Sequence, residues 1–323
     1  MAFKKLLFLF VGLLGVAGLL ASAVPANAQI KKPTRLQLIG GSTGGSWYAY
    51  LAGMVPIYKR YGITVAVEPG GGAVNPLRIS KAEGDAAFGQ TSANFDAKEG
   101  KNAFKKYGKI TNIHNLLMVG TDHIHLACSK DSGITTWAGI KGARLGAPAK
   151  SQASWFNFLT GAMVVGLKES DLNIVSRGGA TTGAKMVKDR QADCVTHTSH
   201  YPIASFSELA IARPVTIIGM TDAQIAEVTK QNAGLVPGVI PAGAYKGHDK
   251  DVKAYLAGSV LMTHSKLSKD KGYWITKVIG DNLPEIRKIH KGISRITLEI
   301  MAAAPAFPLN EGALMYYKEK GLK

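Results

Sequence analysis

The chain is poor in cysteine, poor in acid and has a single long hydrophobic run. Its two cysteines, Cys128 and Cys194, lie far apart, and neither sits with a histidine at zinc-ligand spacing, so no metal site is expected. Both occupy apolar, strand-like runs (HLACSK and ADCVTH), where either a disulfide or two buried free thiols would fit. The first glycine-rich loop contains no G-x-G-x-x-G. Gly40 and Gly45 have P-loop spacing, but Ser46 stands where lysine would be needed, so a nucleotide cofactor is not expected. Basic residues outnumber acidic ones 39 to 22, a net charge of +17, or +15 without Lys4 and Lys5. No basic run carries the interleaved aromatics of a nucleic-acid groove, so nucleic acid is not an expected partner. The densest group, Lys98, Lys101, Lys105, Lys106 and Lys109, reads as a solvated face. Glycine and proline are spread along the chain, and 46% hydrophobic content supports a sizeable core.

The hydrophobic run, residues 6–20, follows Lys4 and Lys5 and leads to Ala26-Asn27-Ala28. This is the pattern of a secretory signal peptide over residues 1–28, cleaved to leave Gln29, with the mature chain in the periplasm. No cysteine follows the site, which argues against a lipid anchor.

What is present is organised around RLQLIGGSTGGSWYAY, Arg35 to Tyr50. It reads as a strand, a small-residue loop and a helix start. Ser42, Thr43 and Ser46 supply hydroxyls, and Gly44 and Gly45 leave backbone N–H groups uncovered before Trp47, a setting that favours an anion at a helix N-terminus. The stretch recurs. Ser46-Trp47-Tyr48-Ala49-Tyr50-Leu51-Ala52-Gly53 aligns with Ser154-Trp155-Phe156-Asn157-Phe158-Leu159-Thr160-Gly161 at an offset of 108 residues. The same offset relates Val67 to Val175, Gly70-Gly71 to Gly178-Gly179 and Asp85 to Asp193. The expected fold is therefore α/β, two similar Rossmann-like lobes with a ligand cleft between them.

Further expectations follow along the chain. A loop at Gly72, Ala73 and Asn75 opens a second helix carrying Leu77, Ile79 and Ala82. The strand from Asp85 ends at Gln90, beside the cleft. His123 and His125 share one face of a long strand, where core or interface packing is expected rather than a metal site. In the second lobe Ser151, Gln152 and Ser154 form the first loop. Arg177, at a loop tip, is a candidate carboxylate clamp or a surface residue, and His197 and Thr198 are polar lining candidates. Pro237 to Tyr245 reads as a return linker, followed by a strand over 252–264 and two lysine-rich helices over 269–281 and 283–300. An N-capped helix closes the chain. Lobe 1 is expected over 29–125 plus 245–323, and lobe 2 over 126–244.

Several segments resemble the TAXI family, the extracytoplasmic solute receptors of tripartite ATP-independent periplasmic (TRAP) transporters. They are STGGSWY at Ser42, VEPGGGAVNPLR at Val67, GDAAFGQTS at Gly84, WAGIKGARLGAP at Trp137, IPAGAYKGHDKDV at Ile240 and GALMYYKEKG at Gly312. The resemblance implies a type II periplasmic binding protein, not an enzyme. It would act as a monomer, taking a small anionic solute such as glutamate, 2-oxoglutarate or another dicarboxylate to TRAP membrane subunits. It places the binding loops on Ser42–Trp47, Gly72–Asn75, Gln90 and Ser151–Ser154. Two other readings remain. The same fold could serve an ABC importer or a sensor. Gly40, Ser42 and Gly44 also satisfy the G-x-S-x-G of a secreted serine hydrolase, but no room exists upstream for that fold's first strands.

Overall fold

Each glycine-rich loop joins a strand to a helix, and the two sets of loops belong to two copies of one arrangement. The computed structural model describes residues 30–41, 43, 46–303 and 306–323. The expected signal peptide over residues 1–28, and the expected site residues Ser42, Gly44 and Gly45, lie outside the described residues.

The first copy is β1 (Arg35–Ile39), α1 (Ser46–Arg60), β2 (Thr64–Glu68), α2 (Asn75–Ser80), β3 (Ala86–Gln90) and α3 (Thr91–Glu99). The long strand β4 (Ile113–Ser129) leads away from it. The second is β5 (Arg144–Gly146), α4 (Ala153–Val164), β6 (Asn173–Ser176), α5 (Gly179–Lys188), β7 (Cys194–Ser199) and α6 (Ala204–Ala212), followed by β8 (Val215–Ile217), α7 (Asp222–Gln231) and β9 (Leu235–Ile240). The chain returns through β10 (Val252–His264) and ends in α8 (Lys269–Asp281), α9 (Leu283–Ile289), α10 (Leu298–Ala302) and α11 (Glu311–Glu319).

In the first copy β1 lies between β2 and β3, all parallel; in the second β5 lies between β6 and β7, all parallel. The antiparallel strands β10 and β4 join the two into one mixed sheet of order β2-β1-β3-β10-β4-β7-β5-β6, with β8 on β4 and β9 on β10. The likeness extends to single bonds. Gln37 N–H donates to the Asp85 carboxylate at 2.8 Å, and Arg144 N–H to the Asp193 carboxylate at 2.9 Å. Gly40 N–H donates to the Glu68 carbonyl and Ala147 N–H to the Ser176 carbonyl, each at 2.8 Å. The offset is 107 residues before the first loop (Gly40, Ala147) and 108 after it (Ser46, Ser154), so the second loop is one residue longer.

Helix α1 buries Tyr50, Leu51, Met54, Ile57 and Tyr58, one stripe at helical spacing, against Leu38, Phe88 and Ile279. In the second copy Cys194 and Val195 face opposite sides of the sheet, one toward Trp137 and Phe158, the other toward Val187 and Phe206. Cys128 and Cys194, paired in register on β4 and β7, form a disulfide, which resolves the alternative between bridge and thiols. Among the described residues no helix is long and apolar enough to cross a membrane.

Three sequence expectations need correction. The segment from Pro237 is not all linker: β9 runs through Ile240, paired with β10, and only the remainder connects. Helix α2 ends at Ser80, so Ala82 lies outside it, in a turn at φ +57°. The helix expected over 283–300 is broken after Ile289, where His290 is extended. Gly292 there approaches Tyr50 so closely that a Cβ would lie 2.1 Å from its hydroxyl.

Candidate ligand-binding cleft

The carboxyl ends of the parallel strands in both copies converge on one cavity of about 240 Å³. The first copy lends Gly41, Ser46, Trp47, Gly70, Gly71, Gly72 and Gln90, and the second lends Gln152, Ala153, Ser154, His197, Thr198 and Ser199. Asp122 of β4 also lines it. Helix α1 starts at Ser46 on one side, and α4 starts at Ala153 on the other. Gln152, the N-cap of α4, makes no side-chain capping bond, so first-turn N–H groups remain available at that rim.

Glycine is required where the loops stack. A Cβ on Gly70 would lie 2.3 Å from the Asn75 Oδ1, and one on Gly40 would lie 2.9 Å from the Tyr48 Cα. Asn75 is fully buried. Its amide donates to the Gly40 carbonyl at 2.8 Å and the Phe88 carbonyl at 2.7 Å, and its Oδ1 accepts from Gly71 N–H at 3.0 Å. One side chain thus ties the first loop, the second loop and the end of β3 together.

A directed hydrogen-bond network forms the floor. The Trp47 indole donates to the Ser259 Oγ at 3.0 Å, and that hydroxyl donates to Asp122 Oδ2 at 2.6 Å. Gln90 Nε2 approaches the same oxygen at 3.4 Å, and the His200 backbone N–H also bonds this carboxylate. From α4, Asn157 donates to the Gln90 Oε1 at 3.1 Å and approaches the Thr198 hydroxyl at 3.4 Å, linking the two copies. Burial pushes the Asp122 carboxyl upward, against the pull of those three donors. His197 is half-buried, its Nδ1 buried with no partner among the described residues, and desolvation pushes it down to about 4, so it is neutral at pH 7. The described wall residues include no lysine or arginine.

Of the residues expected from the sequence, Ser46, Trp47, Gly72, Gln90, Gln152, Ser154, His197 and Thr198 are brought together on the wall. Thr43, Ala73 and Ser151 are near it in sequence but not on it, and Asn75 lies beneath it as the tie just described. Arg177 is not brought to the wall either. Its guanidinium stacks on Trp155 at 4.2 Å, bonds the Pro148 carbonyl at 3.3 Å and sits 3.9 Å from Glu169. Trp155 itself is core. Sequence reasoning missed Asp122 and Ser259. A signal existed for the first, which is the sole acid between Glu99 and Asp131.

The fold matches solved periplasmic binding proteins. MatC from Rhodopseudomonas palustris, with bound malate, superposes with a TM-score of 0.54 at 11% identity, covering 90% of this chain and 97% of that one. The periplasmic binding protein BugD gives 0.51 at 13%, covering 90% and 94%. The periplasmic aliphatic sulphonate binding protein SsuA from Escherichia coli gives 0.50 at 14%, covering 90% and 80%. At these identities the likeness is one of fold: two similar α/β lobes with a ligand cleft between them. Over residues 38–321 the sequence itself matches the model of one family, so the chain belongs to the NMT1-like family.

Proposed function

We propose that the protein is a periplasmic solute receptor, not an enzyme. It would close its two lobes on a small carboxylate-bearing solute and present the closed form to the membrane subunits of a TRAP transporter. The observation that carries this reading is the duplicated cleft. Two equivalent strand–loop–helix units face one cavity, each with a helix of three turns or more starting at its rim. Helix N-termini stabilise a carboxylate through unpaired N–H groups and the helix dipole, by about 0.3–1 kcal/mol each at exposed sites and more in a dry site. The cavity suits a small metabolite, being below the usual size for drug-like ligands. The lobes we assign are 29–125 plus 245–323 and 126–244. The transporter partner rests on the segments resembling TAXI receptors. The periplasmic location rests on the signal-peptide pattern and agrees with the Cys128–Cys194 disulfide, which an oxidising compartment maintains.

Asp122 bonds Ser259, Gln90 and the His200 backbone rather than an imidazole ring. The acid–histidine pair that would activate a nucleophile is therefore not formed there among the described residues. The test is a thermal shift of the mature protein against carboxylic acids and their methyl esters. Acids that bind the native state raise the melting temperature by mass action, and the esters do not. If no acid shifts the transition, or if acids and esters act alike, the carboxylate reading fails.

A further inference from the structure

Among the described wall residues of the cleft, the one side chain with a full charge is an acid, Asp122. A plain dicarboxylate would bring two negative charges into a cavity that offers helix N-termini but no lysine or arginine on its described wall. Asp122 itself is paired with no cation among the described residues; its partners are Ser259, Gln90 and the His200 N–H. It is reached from the cavity, being partly rather than fully buried.

The direction of the network identifies the form Asp122 takes. An indole N–H can only donate, so at Trp47 the Ser259 oxygen accepts, and its single hydrogen goes to Asp122. The Gln90 carbonyl is engaged by Asn157, which turns the Gln90 amide nitrogen toward Asp122. The His200 group is a backbone N–H, which has no acceptor character. Three donors therefore converge on one carboxyl group, and their orientations are set from behind by other residues. Such an arrangement favours the ionised carboxylate over the acid, facing the cavity with no cation beside it among the described residues. A carboxylate partly withdrawn from water and lacking a cation is less stable than a paired one, and a ligand that supplies the cation relieves that cost on binding.

We infer that the solute carries an ammonium group beside its carboxylate: the substrate class is the zwitterionic amino acid, and Asp122 is the residue that reads the ammonium. The N-termini of α1 and α4 hold the carboxylate end. Asp122 is then the specificity-determining residue of the cleft, with Ser259 and Gln90 fixing its orientation. This rests on the receptor reading proposed above and narrows it from organic anions to zwitterions.

The test uses the mature protein and isothermal titration calorimetry with a panel of α-amino acids. Each amino acid is measured beside its deaminated acid, its N-acetyl derivative and its methyl ester, at pH 7. The expected result is at least one amino acid that binds about tenfold or more tighter than its deaminated and N-acetyl partners, the size expected for a charge-assisted contact. The variant Asp122→Asn should lose about tenfold or more for that amino acid while changing the deaminated acid by less than about threefold. Retained binding of the deaminated acid by Asp122→Asn, with an unchanged melting temperature, checks that its loss is not a folding defect. A deaminated acid that binds within about threefold of its amino acid overturns the zwitterion inference and leaves the receptor reading standing. So does an amino-acid preference that survives in a folded Asp122→Asn protein. Equal binding of acids and esters, or of no acid in the panel, overturns both.

Discussion

Asn75 shows how far one side chain can tie loops together. Asn75 satisfies two buried carbonyls and one partly buried N–H at once. Asn75→Ala leaves all three unpaired. At roughly 1–3 kcal/mol for each group that stays dry, and with partial relaxation, the expected loss of stability is about 2–4 kcal/mol. Asn75→Asp should be no better, because it sets a carboxylate oxygen against two carbonyl oxygens. Urea unfolding of both variants checks this; a loss under about 1 kcal/mol for either would mean that water replaces the tie. The sequence pointed to Asn75 as a site residue because it stands in the right loop, but the loop position alone does not say whether a side chain faces the ligand or the backbone. Arg177 was unreadable for the same reason. Its charge suggested a clamp, yet Trp155 and the Pro148 carbonyl hold it away from the wall. Gln90, Ser154 and Thr198 were legible because strand ends and helix starts in an open α/β sheet face the crevice whatever their identity. Asp122 was not, since its role depends on Ser259, 137 residues away on β10.

At the scale of the element, β4 and β7 place His125 directly opposite His197, with His123 two residues along. His125 Nδ1 donates to the His123 carbonyl at 2.9 Å, and its ring packs edge-on against Phe206 and Tyr245. Burial is the largest cause that lowers all three: His123 to about 4, aided by Arg295, His125 to about 3, aided by His123, and His197 to about 4. An unfolded histidine titrates near 6.5. Between pH ~6.5 and ~4 the unfolded chain therefore binds protons that the folded chain refuses. The stability these residues contribute is full above ~6.5 and is lost as the pH falls. Asp96 on α3 runs the other way. Burial raises its carboxyl to about 6, so the folded state takes up a proton that the unfolded chain does not take until ~4. Its burial costs most above pH 6, and the relief on acidification offsets one histidine. Taken alone, these four groups give a slope of about 2–3 kcal/mol per pH unit near pH 5; burial also lowers His114, His200, His248, His264 and His290, which steepens it, and raises Asp122, which offsets part. Urea unfolding at pH 5 and pH 7 measures it. His125→Phe, which keeps a ring among Phe206 and Tyr245, should make the slope shallower by about 1.4 kcal/mol per unit. An unchanged slope would show that His125 is not a refusing group. This set was partly legible: the alternation of His123 and His125 indicated one buried face, but the partner on β7 required the sheet order.

The whole molecule is one α/β plan used twice, and that much could be read from the 108-residue offset before any coordinate, because the repeated glycines and hydroxyls mark the loops that must turn tightly. What could not be read is how the halves are joined. Sequence periodicity reports faces, not strand partners, so β9 passed for a linker, and the joint itself stayed hidden. The structure shows two strands running through both halves. Residues Val252–Ala257 of β10 pair with β9, while Ser259–Met262 pair with β3. Residues Ile113–His123 of β4 pair with β10, while His123–Cys128 pair with β7. The β4–β10 register slips between Ser259 and Val260, beside the very residues, Ser259 and Asp122, that floor the cleft. A bulge of this kind is a point where strands bend, so a change in lobe angle is felt first at the binding network. At the opposite rim a Cβ on Gly72 would lie 3.2 Å from the Cβ of Ala153, so the loops of the two halves already meet. Gly72→Leu should therefore act as a wedge. Gly72 is not among the glycines with positive φ and is not buried, so the fold should tolerate the side chain, with a melting temperature close to the parent. The closed state, however, should be disfavoured enough to weaken ligand binding by about tenfold or more. Small-angle scattering separates the cases. The parent's radius of gyration should fall on adding ligand, and that of Gly72→Leu should fall less or not at all. A parent whose radius does not change, together with a wedge variant that binds normally, would mean that ligand enters a rigid cleft and that the slipped register at Ser259 is not a hinge.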